Sequence, residues 1–150
     1  MILVSSCLGG IECRYNGSHA ASEKIRRLVD EKKAVMVCPE LLGGFTTPRE
    51  PAEIIGGTGE DVLNGTAKIV TASGEDVTAL YMAGAEKTLA YAKEIGAGTV
   101  ILKENSPSCG SSFIYDGTFS GKKIIGDGIT SALLKRAGCR VLSEDELDQL

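Results

Sequence analysis

Apolar positions along this chain form two patterns that alternate. Ile2-Leu-Val, Ala34-Val-Met-Val and Thr99-Val-Ile-Leu are short continuous apolar runs bounded by loop signals, the pattern of strands buried on both faces, and Cys139-Arg-Val-Leu adds a last short strand. Between them the spacing turns helical. Ile25, Leu28 and Val29 predict a helix from about Ser22 to Lys33. Val77, Leu80, Tyr81, Ala85, Leu89, Ala92 and Ile95 mark one stripe of a longer helix, capped at its start by Asp76 and stopped by Gly96, with Gly84 inside it predicting a close backbone approach. A third helix is expected over Ile129–Ala137, capped by Asp127 and ended by Gly138, and Ser143 with Glu146 forms a capping-box pattern for a terminal turn.

The remaining segments carry weaker signals. Lys68–Thr71 is expected as a short strand. The stretch from Phe45 to about Gly65 holds Pro48, Pro51 and several glycines without a period, and is expected to be a long ordered loop or lid. Two turn-rich stretches, Tyr115-Asp-Gly-Thr-Phe-Ser-Gly-Lys and Gly126-Asp-Gly, are expected to wrap one site. Strands alternating with helices predict an α/β fold: a single domain over 1–150, with an open, mostly parallel sheet of Rossmann-like kind flanked by helices. Ligands on such sheets bind beyond the carboxyl ends of the strands. No internal repeat, linker or second domain is visible.

Composition narrows the function classes. With 150 residues, 43% hydrophobic and 24% charged, the chain is ordinary for a globular protein with a real core. A net charge of −4 argues against a broad nucleic-acid footprint and for a small-molecule ligand. No apolar run reaches the roughly 18 residues of a membrane span, and Met1-Ile-Leu-Val lacks the length and basic flank of a signal peptide, so a cytoplasmic location is expected. Five cysteines without a secretory signal point to metal or catalytic thiols rather than a disulfide framework.

Three of those cysteines follow strands. Cys7 lies in Ser5-Ser-Cys-Leu-Gly-Gly after the first run, Cys38 in Cys38-Pro-Glu-Leu-Leu-Gly-Gly after the second, and Cys109 in Lys103-Glu-Asn-Ser-Pro-Ser-Cys-Gly-Ser-Ser after the third. In that last loop Pro107 biases Ser106 towards extended geometry and Gly110 is read as giving freedom just after the thiol. If the strands are neighbours, the three thiols converge, and converging thiolates need a cation between them. Zinc is one reading, although Cys-x-x-Cys spacing is missing and His19, as a fourth ligand, has no special spacing. A cubane iron–sulfur cluster with one iron open to substrate is a second. A third is that all five are buried small hydrophobes. Cys139, at the amino end of a strand, is expected to be a spectator, and Cys13 to line the pocket.

Taken together, Val4-Ser-Ser-Cys-Leu-Gly-Gly with Cys13-Arg-Tyr-Asn-Gly, Val37-Cys-Pro-Glu-Leu-Leu-Gly-Gly with Thr47-Pro-Arg, and Lys103-Glu-Asn-Ser-Pro-Ser-Cys-Gly with Tyr115-Asp-Gly-Thr-Phe-Ser-Gly resemble the DUF523 family, whose characterised members are thiouracil desulfidases. The likeness runs from about Val4 to Val141. It implies a [4Fe–4S] cluster on Cys7, Cys38 and Cys109, whose open iron takes the sulfur of a thiolated uracil, and it implies Glu40 and Ser106 as catalytic groups. Ser6 and Gly9 depart from the family, where Ala and Leu are frequent at those positions.

The residue types suit that chemistry. A thiocarbonyl is a soft donor for iron, and its binding drains electrons from the ring carbon, so that water attacks without a change of redox state. Glu40, two residues beyond a thiol, is placed to take the water's proton, while Ser106 donates to substrate or positions the water. Arg49 and Ser108 are read as substrate-binding residues, with a surface pairing of Arg49 to Glu50 or Glu53 as the plain alternative, and Arg14 and Tyr15 as loop packing. The expected partner is a small molecule, a thiolated uracil base or nucleotide. Nucleic acid is disfavoured, with a thiolated tRNA uridine left open, and no membrane is expected. A hydro-lyase using the same iron and a non-enzymatic iron–sulfur or zinc module stand as the alternatives.

Overall fold

The computed structural model describes residues 1–17 and 22–150; His19 lies outside them. In chain order the elements are β1 (Ile2–Ser5), a 3₁₀ turn (Ser6–Gly9), α1 (Glu23–Asp30), β2 (Ala34–Val37), α2 (Pro39–Leu42), β3 (Ala52–Ile55), α3 (Gly59–Leu63), β4 (Lys68–Thr71), α4 (Thr78–Ile95), β5 (Thr99–Leu102), β6 (Phe113–Tyr115), β7 (Lys123–Ile125), α5 (Ile129–Arg136), β8 (Arg140–Ser143) and a closing 3₁₀ segment (Glu144–Gln149). The main sheet has the order β2-β1-β5-β8 and every neighbouring pair is parallel. The expected α/β architecture is therefore present.

The apolar runs divide between the two sheet faces as period-two geometry requires. Leu3, Val100 and Leu102 pack with Ala92 of α4 and Leu134 of α5, whereas Val4 and Ile101 pack with Ile25 of α1. Helix α1 stops at Asp30, short of Lys33, because Lys32 takes a left-handed φ of 59° that no helix accommodates. Gly96 is left-handed (φ 69°) and ends α4 as expected. Asp76 is not the cap residue expected of it, since Val77 holds that position, but its carboxylate accepts the Thr78 N–H at 2.9 Å.

Two further expectations fail. The stretch from Phe45 to Gly65 is not the long loop or lid expected: it contains β3 and α3, and β3 pairs antiparallel with β4. This unit has its own apolar core, in which Ile54, Val62 and Ile69 pack against Tyr81 and Ala85 of α4 and Ile129 of α5. Asp127 does not cap α5 either, since Gly128 holds that position and Asp127 instead binds Lys135 Nζ at 2.7 Å. A side chain at Gly128 would strike the Ser108 carbonyl, because the start of α5 is pressed onto the Cys109 loop.

That contact organises the loop. The N–H groups of Gly128, Ile129 and Thr130 donate to the carbonyls of Gly110, Pro107 and Ser108 at 2.7, 2.8 and 2.8 Å. Donors that a helix start leaves unpaired thus hold the loop in place. Helix α2 is fixed by a different device. A Cβ on Gly84 of α4 would lie 2.1 Å from the Pro39 carbonyl oxygen, and one on Gly43 would lie 2.3 Å from the Leu80 carbonyl oxygen. The two backbones therefore touch through glycines, which is the close approach expected of Gly84.

Candidate active site

A cavity of about 420 Å³ opens where β1, β2 and β5 end. Its lining takes Ser5, Ser6 and Cys7 from the β1 exit, Val37, Cys38 and Glu40 from the β2 exit, and Lys103, Ser106 and Cys109 from the β5 exit. Because β1 lies between β2 and β5 in the sheet, three loops far apart in sequence meet at one place. Cys13 joins them from the loop after β1, and Cys139 is turned away, packed beside Val100 and Leu134.

All five thiols are free. Cys13 lies within hydrogen-bond reach of both Cys38 and Cys7: the bond with Cys38 favours its thiolate, but the bond with Cys7 and burial outweigh this and push it up to about 11. Cys38 is pushed up by its bond to Cys13 and by burial, against the Leu41 N–H, which pulls the other way. Burial, then the charge of Glu40, pushes Cys109 up. These thiols are costly to ionise by themselves, and a cation bound among them removes that cost. Among the described residues, no three His, Cys, Asp or Glu side chains stand close enough to share a single metal ion.

Glu40 is the second residue of α2, with Cys38 at the cap and Pro39 opening the helix. Its Oε2 receives Nε of Arg49 at 2.8 Å and also the Arg49 Nη2. Only 7% of the Arg49 side chain and 12% of the Glu40 side chain are exposed. The rest of the guanidinium is occupied too: Nη2 donates to the Cys13 carbonyl at 3.0 Å, and Nη1 to the Thr46 carbonyl and the Thr47 hydroxyl at 3.2 and 3.3 Å. Arg49 therefore pairs with Glu40, not with Glu50 or Glu53, and the pair is buried rather than on the surface. Burial opposes the cation, but Glu40 more than offsets it and raises Arg49 above its ordinary value.

Ser106 faces the other carboxylate oxygen. Its Oγ accepts the N–H groups of Ser108 and Cys109, each at 2.9 Å, and donates to Glu40 Oε1 across a long 3.4 Å. It caps the loop and points at Glu40 at once. Ser108 is nearly fully buried behind the thiol, its hydroxyl bonded to Thr130 Oγ1 at 2.7 Å and 3.6 Å from Cys109 Sγ, and it does not line the cavity.

Several residues at the site escaped the sequence reading. Glu104, 6% exposed, uses Oε1 to accept the N–H groups of Asn105, Ser111, Ser112 and Phe113 at 2.8–3.3 Å and so ties both ends of the Cys109 loop together. Burial opposes its charge, yet the backbone donors prevail and hold its carboxyl below the ordinary value of 4.5. Tyr81 of α4, counted only as part of a helical stripe, reaches the cavity with its ring 4.7 Å from that of Phe45, and burial followed by the charge of Glu40 raises its phenol. Arg14 and Tyr15 line the cavity as well. Gly110 has another role than the one expected, for a Cβ there would meet the Phe113 carbonyl oxygen at 2.6 Å, so tight packing rather than backbone freedom explains it.

Comparison with known proteins bears on this cavity. The family model described as 2-thiouracil desulfurase matches residues 2–146. The protein YbbK of Bacillus subtilis (strain 168), described as uncharacterized, is 85% identical over 150 residues, covering 100% of this chain and 99% of that one. Among solved structures, the [4Fe-4S]-dependent thiouracil desulfidase TudS (DUF523Vcz) superposes with a TM-score of 0.87 at 44% identity, over 99% of this chain and 93% of the other.

Proposed function

The chain belongs to the 2-thiouracil desulfurase family, and from that premise we propose that it converts a thiolated uracil to uracil and sulfide by hydrolysis, without net electron transfer. The observation that carries the reading is the meeting of Cys7, Cys38 and Cys109 in one cavity with the Glu40 carboxylate beside them. Free thiols at three adjacent strand exits are the donor set an iron–sulfur cluster uses, and the residues present fit a [4Fe–4S] group held by these three. When bound, a cluster on three cysteines supplies an open iron, a Lewis acid for the soft thiocarbonyl sulfur.

The protein's own groups do the rest. Arg49 holds Oε2 of Glu40, so Oε1 is the oxygen left to take a proton from water. Ser106, fixed by two backbone donors, keeps its hydroxyl proton aimed at that same Oε1 and so orients the carboxylate that takes the proton. Tyr81 and the packed wall around it limit bulk water. The cavity volume falls in the range of about 300–1,000 Å³ usual for small-molecule sites. A hydro-lyase would need guanidinium groups free for substrate carboxylates, and of the two arginines lining the cavity Arg49 is committed to Glu40.

Anaerobic purification followed by iron and sulfide analysis tests the cofactor, with about four irons per chain expected. Assay on 2- and 4-thiouracil without reductant tests the reaction. Turnover that stops unless stoichiometric reductant is supplied overturns the hydrolytic reading, and one zinc with no labile sulfide overturns the cluster.

A further inference from the structure

Cysteines and Glu40 account for the floor of the cavity but not for its outer wall. That wall is the tip of the β6–β7 hairpin, from which Tyr115, Phe119 and Gly121 line the opening. Phe119 is 37% exposed and has a left-handed φ of 55°, a conformation that bulky L-residues avoid. Its neighbours hold it there. Glu53 of β3, 8% exposed, accepts the N–H groups of Gly117 and Phe119 on one oxygen at 2.9 and 3.2 Å. Gly117 approaches β3 so closely that a Cβ would lie 2.7 Å from the Ile54 carbonyl oxygen. Within the tip, Asp116 Oδ1 accepts from the Thr118 N–H and hydroxyl at 3.0 and 2.5 Å. A buried carboxylate, a glycine contact and a side-chain turn all serve to present one aromatic ring to the cavity in a strained backbone. Strain kept in this way marks a functional position.

We propose that Phe119 is the stacking platform for the planar heterocycle of the substrate, and that Glu53 is the positioning residue that holds the platform over the cavity. The assignment deepens the thiouracil reading above and rests on it. Any pyrimidine offers a π-face, so stacking gives affinity whatever the ring substituent, while the floor of the cavity reads the sulfur. Glu53 acts through the backbone of the tip and leaves the chemistry to Glu40.

The chain contains no tryptophan, so Phe119→Trp installs its one indole at the proposed platform, excited apart from the tyrosines at long wavelength. Titration of the cluster-loaded variant with uracil, which is not turned over, is expected to change the emission saturably, and 2-thiouracil is expected to compete. Phe119→Leu keeps an apolar side chain without a π-face and is expected to raise KM about 5- to 100-fold while kcat moves far less. Phe119→Gly relieves the left-handed strain, so its Tm is expected to hold or rise while KM rises to the same extent, an outcome that loss of a merely structural residue does not give. Glu53→Ala is expected to raise KM as well, with rescue by Glu53→Gln, whose amide oxygen still accepts the two N–H groups. Unchanged KM in Phe119→Leu and Phe119→Gly, or emission in Phe119→Trp indifferent to uracil, overturns the platform even though the wild type desulfurates thiouracil. The expected emission change in Phe119→Trp together with no sulfide release from thiouracil by the wild type overturns the reaction instead.

Discussion

The loop carrying Cys109 and the loop carrying Cys7 and Cys13 bring thiols to the same cavity by opposite means. The first is a polar cage built largely from its own sequence neighbours: Glu104 gathers four backbone donors and Ser106 gathers two, and the start of α5 supplies further donors to its carbonyls. The second has no such internal carboxylate. Its backbone turns around Cys7 through the Gly10 and Ile11 N–H groups, and Cys13 is held from outside, by Arg49 on its carbonyl and by an Arg49 N–H to Tyr15. Cys109 is fixed within its own loop, whereas Cys13 is fixed by a residue from a different part of the chain. The difference predicts that damage to the first loop shows mainly as lost stability, and damage around Arg49 mainly as lost chemistry.

The largest test removes the thiols themselves. Cys7→Ser, Cys38→Ser and Cys109→Ser should each lose the cluster, seen as loss of iron, sulfide and brown colour together with all turnover; retention of a full cluster by any one of them would remove it from the ligand set. Next comes the chemistry around Arg49: Glu40→Gln should keep the cluster's absorbance and lower turnover by roughly 10²–10⁴-fold, the range for loss of an acid–base group. An unchanged rate would remove Glu40 as the base.

Glu104→Ala probes the cage. Losing a buried carboxylate that satisfies four backbone donors should cost on the order of 3 kcal/mol at neutral pH, read by chemical denaturation. Because the folded-state value of Glu104 is held below 4.5, its contribution is complete above that value and fades as pH falls through the lower folded value. The gap between wild type and variant should therefore narrow on acidification, and a gap independent of pH would deny the carboxylate this role. The smallest effects belong to the remaining thiols. Cys139→Ser, in the half-buried position at the start of β8, should keep cluster and rate with a stability change within about 1 kcal/mol. Cys13→Ser should also keep the cluster; its loss there would show that the thiol bridging Cys7 and Cys38 is a ligand.

The central sheet was legible in the sequence because parallel strands buried on both faces read as plain apolar runs, and the gathering of Cys7, Cys38 and Cys109 followed from where those runs end. The β3–α3–β4 unit was not legible. Glu53 interrupts the alternation of β3 and is tolerated at a buried position only because the hairpin tip, more than sixty residues on, donates to it. Helix α3 has 5 residues, too few to display a period. Arg49 was misread for the same kind of reason: Glu50 and Glu53 are near it in sequence, and the partner it takes, Glu40, is brought to it by the docking of α2. Glu104 next to Lys103 looks like an ordinary loop charge until the two ends of the loop are seen closing on it.

The glycine contact between α2 and α4 sets an order of events during synthesis of the chain. A helix of 4 residues has no stability of its own, so α2 persists only when Gly43 and Gly84 bring it against α4. The cap position of Cys38 and the direction of Glu40 are therefore undefined while the ribosome is still making the first half of the protein. Cys109 then emerges after α4, and its loop closes only when the start of α5 has followed. The walls around these thiols are therefore complete only once α5 has joined the fold.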